Sequence, residues 1–167
     1  MRVYLPLTWA GLAAAVADGG LPAGPGYAVT PSLREWYASG DAEELEFAAM
    51  SDAAEECLRL LAAEPGAPPR RVVVAADVPD PDVAPVGARH AERHPAAVQI
   101  GAAVLMKTWA SVHVDDPSAT ADVAAAVDVI AAADAGDDDA RFTVDSAADH
   151  QLQWYGVQEL SALLADG

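Results

Sequence analysis

The hydrophobic and polar positions alternate at the start of the chain. Val3, Leu5 and Leu7 fall on one side and Arg2, Tyr4 and Pro6 on the other. That two-residue period predicts a strand over Arg2 to Leu7, with Pro6 near its end or on a sheet edge. Thr8 is placed to cap a helix running to Asp18, which Gly19-Gly20 stops. Leu21 to Gly26 reads as a Pro/Gly loop. Thr30-Pro31 pairs a cap with proline at the first helical position and predicts a short helix over Ser32 to Ala38.

A longer helix begins at Asp41. Phe47, Met50, Ala54, Leu58 and Leu61 recur at three- and four-residue spacing and draw one apolar stripe, while Glu43, Glu44, Asp52, Glu55 and Glu56 take the remaining positions. Asp52 and Glu55 repeat a capping-box pattern, so Ser51-Asp52 is a candidate break between two helices. Pro65-Gly66 ends the segment. The run Val72-Val73-Val74-Ala75-Ala76 is apolar at every position, the mark of a central strand covered on both faces.

The rest of the pattern is a proline-rich loop from Pro79 to Pro95, a strand or hairpin over Ala97 to Met106, and a strand over Trp109 to Asp115 with Val112 and Val114 on one side and His113 on the other. A helix from Asp116-Pro117 with the stripe Val123, Val127 and Ile130 follows, then an acidic loop from Asp134 to Asp139. Arg141 to Asp149 fits either helix or loop. A strand at Gln151 to Tyr155 and a closing helix at Val157 to Ala165 complete the chain. This order predicts a single α+β domain over residues 1–167. The expected fold is a ferredoxin-like, βαββαβ-type sandwich with additional helices, an antiparallel or mixed sheet, and helices mainly on one face.

Composition changes the picture in three ways. The 167 residues suffice for a core without staples, and much of the 53% hydrophobic content is alanine, so that core is built from small side chains. The balance of 9 Lys+Arg against 26 Asp+Glu, a formal charge of −17, repels phosphate backbones and anionic lipid heads and excludes nucleic acid and membrane surfaces as direct partners. Lys107 is the only lysine beside eight arginines, a usage typical of translation from a GC-rich genome. The single cysteine, Cys57, allows no internal disulfide and suits a reducing, cytoplasmic compartment. Its acidic neighbours Glu55 and Glu56 raise a thiol pKa, so Cys57 reads as core filler. Met1 to Asp18 imitates a signal peptide, but Pro6 and Thr8 interrupt its apolar run, and a strand followed by a helix accounts for it. No apolar run reaches membrane-spanning length.

Candidate chemistry is sparse. His113 and Asp115 share one side of their strand and are the catalytic candidates, as part of a metal site or an acid–base pair. The competing account makes His113 a hydrogen-bonded structural residue and gives Asp115 and Asp116 to the start of the following helix. His90 and His94 have helical spacing, but Pro95 follows and Arg89 and Arg93 repel a cation. Asp134, Asp137, Asp138 and Asp139 lack the closing glutamate of a calcium loop. No metal site and no cofactor motif is found. The aromatic residues Tyr4, Trp9, Trp36, Tyr37, Trp109 and Trp154 are the ligand-binding candidates, against a plain role in the core or a dimer contact.

Several segments carry a resemblance: MRVYLPLTWAGL, YAVTPSLREWYASGDAEELEFAAM, RVVVAADVPD, ASVHVDD and LQWYGVQEL. Together they resemble a family of short acidic actinobacterial proteins of unknown function. That resemblance implies a compact intracellular domain and supplies no activity or catalytic residue. The functional expectation is a non-catalytic interaction or regulatory domain, acting as a homodimer or with a protein partner. The rival is a small enzyme or ligand-binding protein using His113, Asp115 and nearby aromatics. A third reading is mimicry of nucleic acid by the acidic surface.

Overall fold

The computed structural model describes residues 1–92 and 94–167; Arg93, counted above among the charges flanking His90 and His94, lies outside the described residues. The chain begins with strand β1 (Arg2–Leu7), helix α1 (Trp9–Asp18), β2 (Gly20–Leu21) and β3 (Gly24–Ala28). Helices α2 (Pro31–Trp36) and α3 (Ala42–Ala63) lead to β4 (Val72–Asp77). Then come β5 (Val83–Pro85), α4 (Ala88–Ala91), β6 (Ala97–Ile100), β7 (Val104–Leu105) and β8 (Trp109–Val114). Helices α5 (Thr120–Asp134) and α6 (Asp138–Ala148), strand β9 (Gln153–Tyr155) and helix α7 (Leu160–Asp166) finish it.

Among the described residues seven strands form one sheet in the order β5-β6-β3-β1-β4-β8-β9, and every neighbouring pair is antiparallel. The remaining two strands, β2 and β7, pair as a separate ribbon. The crossover β3–α3–β4 straddles β1, which is one half of a βαββαβ unit. The second helical connection, α5–α6, joins the adjacent strands β8 and β9 instead.

The alternation read from β1 and β4 sorts side chains to two faces. Val3, Leu5, Val72, Val74 and Ala76 pack with Leu12 and Ala15 of α1 and Leu160 of α7. Tyr4, Val73 and Ala75 pack with Leu33 of α2 and Leu45, Ala49, Ala53 and Cys57 of α3. Helices therefore cover both faces, with α2, α3, α5 and α6 on one and only the shorter α1 and α7 on the other, in line with the expectation of helices mainly on one. The reason lies in β4 itself, since a strand apolar on both sides needs cover on both. On the second face α5 and α6 pack beside α3 through Leu58, Leu61, Val123, Ile130 and Val144.

Several local expectations change. Helix α3 runs unbroken through Ser51 and Asp52, because Ala48, Ala49, Ala53 and Ala54 are buried on both sides of that point and tertiary packing holds the helix together. Its sheet-facing stripe is Leu45, Ala49, Ala53 and Cys57, so Phe47 lies outside the core at 55% exposure. The expected Pro/Gly loop is largely taken up by the end of β2 and the start of β3. Gly26 makes β3 fit, because a Cβ there would stand 2.9 Å from Ile100 Cδ1 and 3.0 Å from Leu5 Cδ2. The segment Arg141 to Asp149 is helical, and the acidic loop before it shrinks to a turn. Gly136 takes φ 97° there, and Asp137 caps α6 by accepting from the Ala140 N–H.

Candidate functional site

The β4–β8 register sets Val72 opposite Val114, which brings the flanking residues Arg71 and Asp115 face to face. Asp115 Oδ2 accepts from the Arg71 backbone N–H at 2.8 Å and from Nε at 2.9 Å, and Oδ1 accepts from Nη2 at 2.7 Å. Nη2 also donates to the His150 carbonyl at 2.9 Å. The two side chains are 3% and 1% exposed, so this is a buried, fully engaged ion pair. Asp115 is thereby committed to a structural cross-link between β4, β8 and the segment entering β9.

His113 points to the α3 side of the sheet, and its Nε2 lies 3.0 Å from Ser111 Oγ two residues back on the same face. Burial, followed by the nearby Arg2 cation, holds its pKa below the ordinary histidine value and favours the neutral ring. The β8–β9 register places Trp154 directly opposite His113. His113 and Asp115 thus share a strand face, as their spacing implies, but engage different partners: Ser111 for one and Arg71 for the other.

Around His113 and Trp154 lies a cleft of about 440 Å³. Helix α3 supplies Phe47, Met50 and Leu58, α6 supplies Val144 and Ala148, and the turn into β9 supplies Gln151 and Leu152. Arg71 and His150 close it on the sheet side, with the His150 ring 2.6 Å from Asp122 Oδ2. Trp154 is 61% exposed and Phe47 55%, so two large aromatic side chains from different elements flank an apolar opening. A mostly apolar cleft with a few polar groups is the usual form of a small-ligand or side-chain pocket.

Asp52 and Glu55 line this cleft and also a second, polar one of about 510 Å³ with Arg59, His94, Asp134 and Arg141. Arg59 is shared among Glu55, Glu56 and Asp134, and Arg141 also bonds Glu55, which ties α3 to α5 and α6. Burial, then the neighbouring Glu55, raises Asp52 to about 6. The His90 and His94 rings lie 5.0 Å apart, and burial lowers the His94 pKa. Among the described residues no group of three or more His, Cys, Asp or Glu side chains is placed to hold a metal. Cys57 is buried; its S–H donates to the Val72 carbonyl at 3.1 Å, and burial, with a smaller push from Asp115 rather than from Glu55 or Glu56, raises the thiol to about 12.

Of the six aromatic candidates, only Trp154 reaches the cleft. Tyr4 is buried between the sheet and α3, and Trp109 is buried on the opposite face with its indole N–H on the Val104 carbonyl at 3.4 Å. Trp9 carries the Arg70 guanidinium over its ring at 4.0 Å, and Trp36 and Tyr37 are exposed elsewhere on α2 and its end. Sequence reasoning missed Arg71, which has no signal until β4 and β8 are aligned. It also missed Phe47 as a rim residue, because a helix position cannot be assigned to core or cleft before its neighbours are known. No helix of the described chain is long and apolar enough to cross a membrane.

No curated protein and no solved structure matches this chain. A family model does match it, over residues 1–164, and the chain belongs to that family of unknown function, DUF6912.

Proposed function

We propose that this protein is a binding module, and that the cleft between α3, α6 and the β8–β9 edge is its working surface, taking a compact apolar or aromatic group. The observation that carries this reading is the pair Phe47 and Trp154, held exposed beside an apolar cleft of about 440 Å³. Recognition is favoured over catalysis because the one carboxylate adjacent to His113 on its strand face is consumed by Arg71. The seven-stranded sheet with helices of both faces packed on it supports reading residues 1–167 as one domain, with the β3–α3–β4 crossover as a ferredoxin-like half extended at both edges. The arginine-rich, alanine-rich composition and the buried free thiol support an actinobacterial, cytoplasmic setting.

The test is thermal melting with indole, phenol and related compact aromatics, run on the wild type and on Ala148→Phe, which fills the cleft. A ligand at one hundred times its Kd contributes about 2.7 kcal/mol. For a chain of this size that raises Tm by roughly 5–10 °C. The shift is expected in the wild type and absent in the filled variant. Equal shifts in both proteins, or none in either, would sink the proposal.

A further inference from the structure

The two ends of the sheet are unlike. The β5 edge ends in Pro85, exposed and unable to donate to an added strand, which is a common way of blunting an edge. The β9 edge reads Gln153-Trp154-Tyr155, with neither proline nor charge, and Gln153 and Trp154 are exposed. An unprotected edge is a template for another strand.

That edge borders the cleft. Trp154 stands opposite His113 on the cleft side of the sheet, so alternate residues of an added strand would project to the same side, toward Trp154 and the apolar wall of α6. The surroundings are acidic. Asp116 accepts from Gln153 Nε2 at 2.9 Å, Asp122 sits on the His150 ring, and Asp149 is exposed just before it. Of the cations nearby, Arg71 is matched to Asp115 and Arg141 is shared by Glu55 and Asp134, while Arg70, which lines a separate pocket with Tyr155, is stacked over Trp9. A second copy of this chain would bring another formal −17 to the same edge, which like-charge repulsion opposes.

The geometry points to an extended basic peptide segment as the occupant, one that adds a strand to β9 and seats one bulky apolar side chain in the cleft beside Trp154 and Phe47. This rests on the cleft being a binding site, as proposed above. A three-residue edge makes few main-chain bonds. The apolar anchor and the lysines or arginines flanking it therefore carry most of the affinity, and the strand pairing sets direction and register.

The test uses the full chain and a short synthetic peptide alternating lysine with valine around a central phenylalanine, titrated by fluorescence anisotropy. Three controls accompany it: the same peptide with glutamate for lysine, one N-methylated on alternate residues, and the protein variant Trp154→Ala, an exposed position whose change spares the core. Binding is expected to weaken about tenfold between low and physiological ionic strength. It should weaken about tenfold or more with the N-methylated peptide and with Trp154→Ala, and vanish with glutamate. Amide exchange at Gln153–Tyr155 should slow on binding. Equal affinity for the glutamate or N-methylated peptide, unchanged exchange at β9, or no binding overturns the proposal. If indole raises Tm while the peptide does not bind, the strand-addition inference falls and the cleft reading stands. If neither binds, both fall.

Discussion

Replacing Asp115 by alanine should be among the most damaging single changes in this protein. The substitution removes the two carboxylate oxygens that accept from Arg71 Nε, Nη2 and the backbone N–H. What remains is a cation whose side chain is 3% exposed, with only the His150 carbonyl left to it. Breaking one side of a buried pair costs about 3–5 kcal/mol, against a total stability of about 5–15 kcal/mol. For this chain length that lowers Tm by roughly 6–20 °C. The double substitution Arg71→Met with Asp115→Leu has a different ledger. It removes both charges, which is neutral or stabilising by about 1–4 kcal/mol when the pair is buried. It leaves two orphans, the residue-71 N–H and the His150 carbonyl, at about 1–3 kcal/mol each. At the middle of these ranges the double variant should lose about 2 kcal/mol, against about 4 kcal/mol for Asp115→Ala. Urea unfolding followed by tryptophan fluorescence reads this from the midpoint at constant slope. A loss below about 1 kcal/mol for Asp115→Ala would refute the reasoning, because it would mean that water solvates Arg71 freely.

Two other outcomes follow from the same geometry. His113 is held neutral by burial and by Arg2, so its folded pKa lies below the ordinary 6.5. The unfolded chain then takes up the proton first, and the stability present above pH about 6.5 declines as pH falls toward the folded pKa. An imidazole NMR titration should give a midpoint below 6.5 for His113, moving upward in Arg2→Gln; an ordinary midpoint would contradict the assignment. Gly26→Ala forces a methyl within 2.9 Å of Ile100 and 3.0 Å of Leu5, and should cost about 1–3 kcal/mol by overpacking, read from the shift in urea midpoint. A stabilised Gly26→Ala would show that β3 and β6 have room to part.

The features legible along the chain are local and periodic. β1, α1 and its Thr8 cap, β4 and α5 are each legible because their burial pattern repeats within one element and their caps sit beside it. β3 escaped notice because Gly24, Pro25 and Gly26 carry turn chemistry, and only the side chains of Leu5 and Ile100 above Gly26 explain a glycine in a strand. The capping pattern at Ser51-Asp52 was a true local signal overruled by the alanines that hold α3 against the sheet. The cleft shows the same division. That His113 faces away from Val112 and Val114 follows from alternation alone. That Asp115 belongs to Arg71, that Trp154 stands beside His113, and that Phe47 lines a cleft were decided only by the β4–β8 and β8–β9 registers and by where α6 packs on α3. Side-chain period is written into neighbouring residues, whereas register and helix packing join residues far apart in the chain, so the fold's elements can be read in sequence and its site cannot.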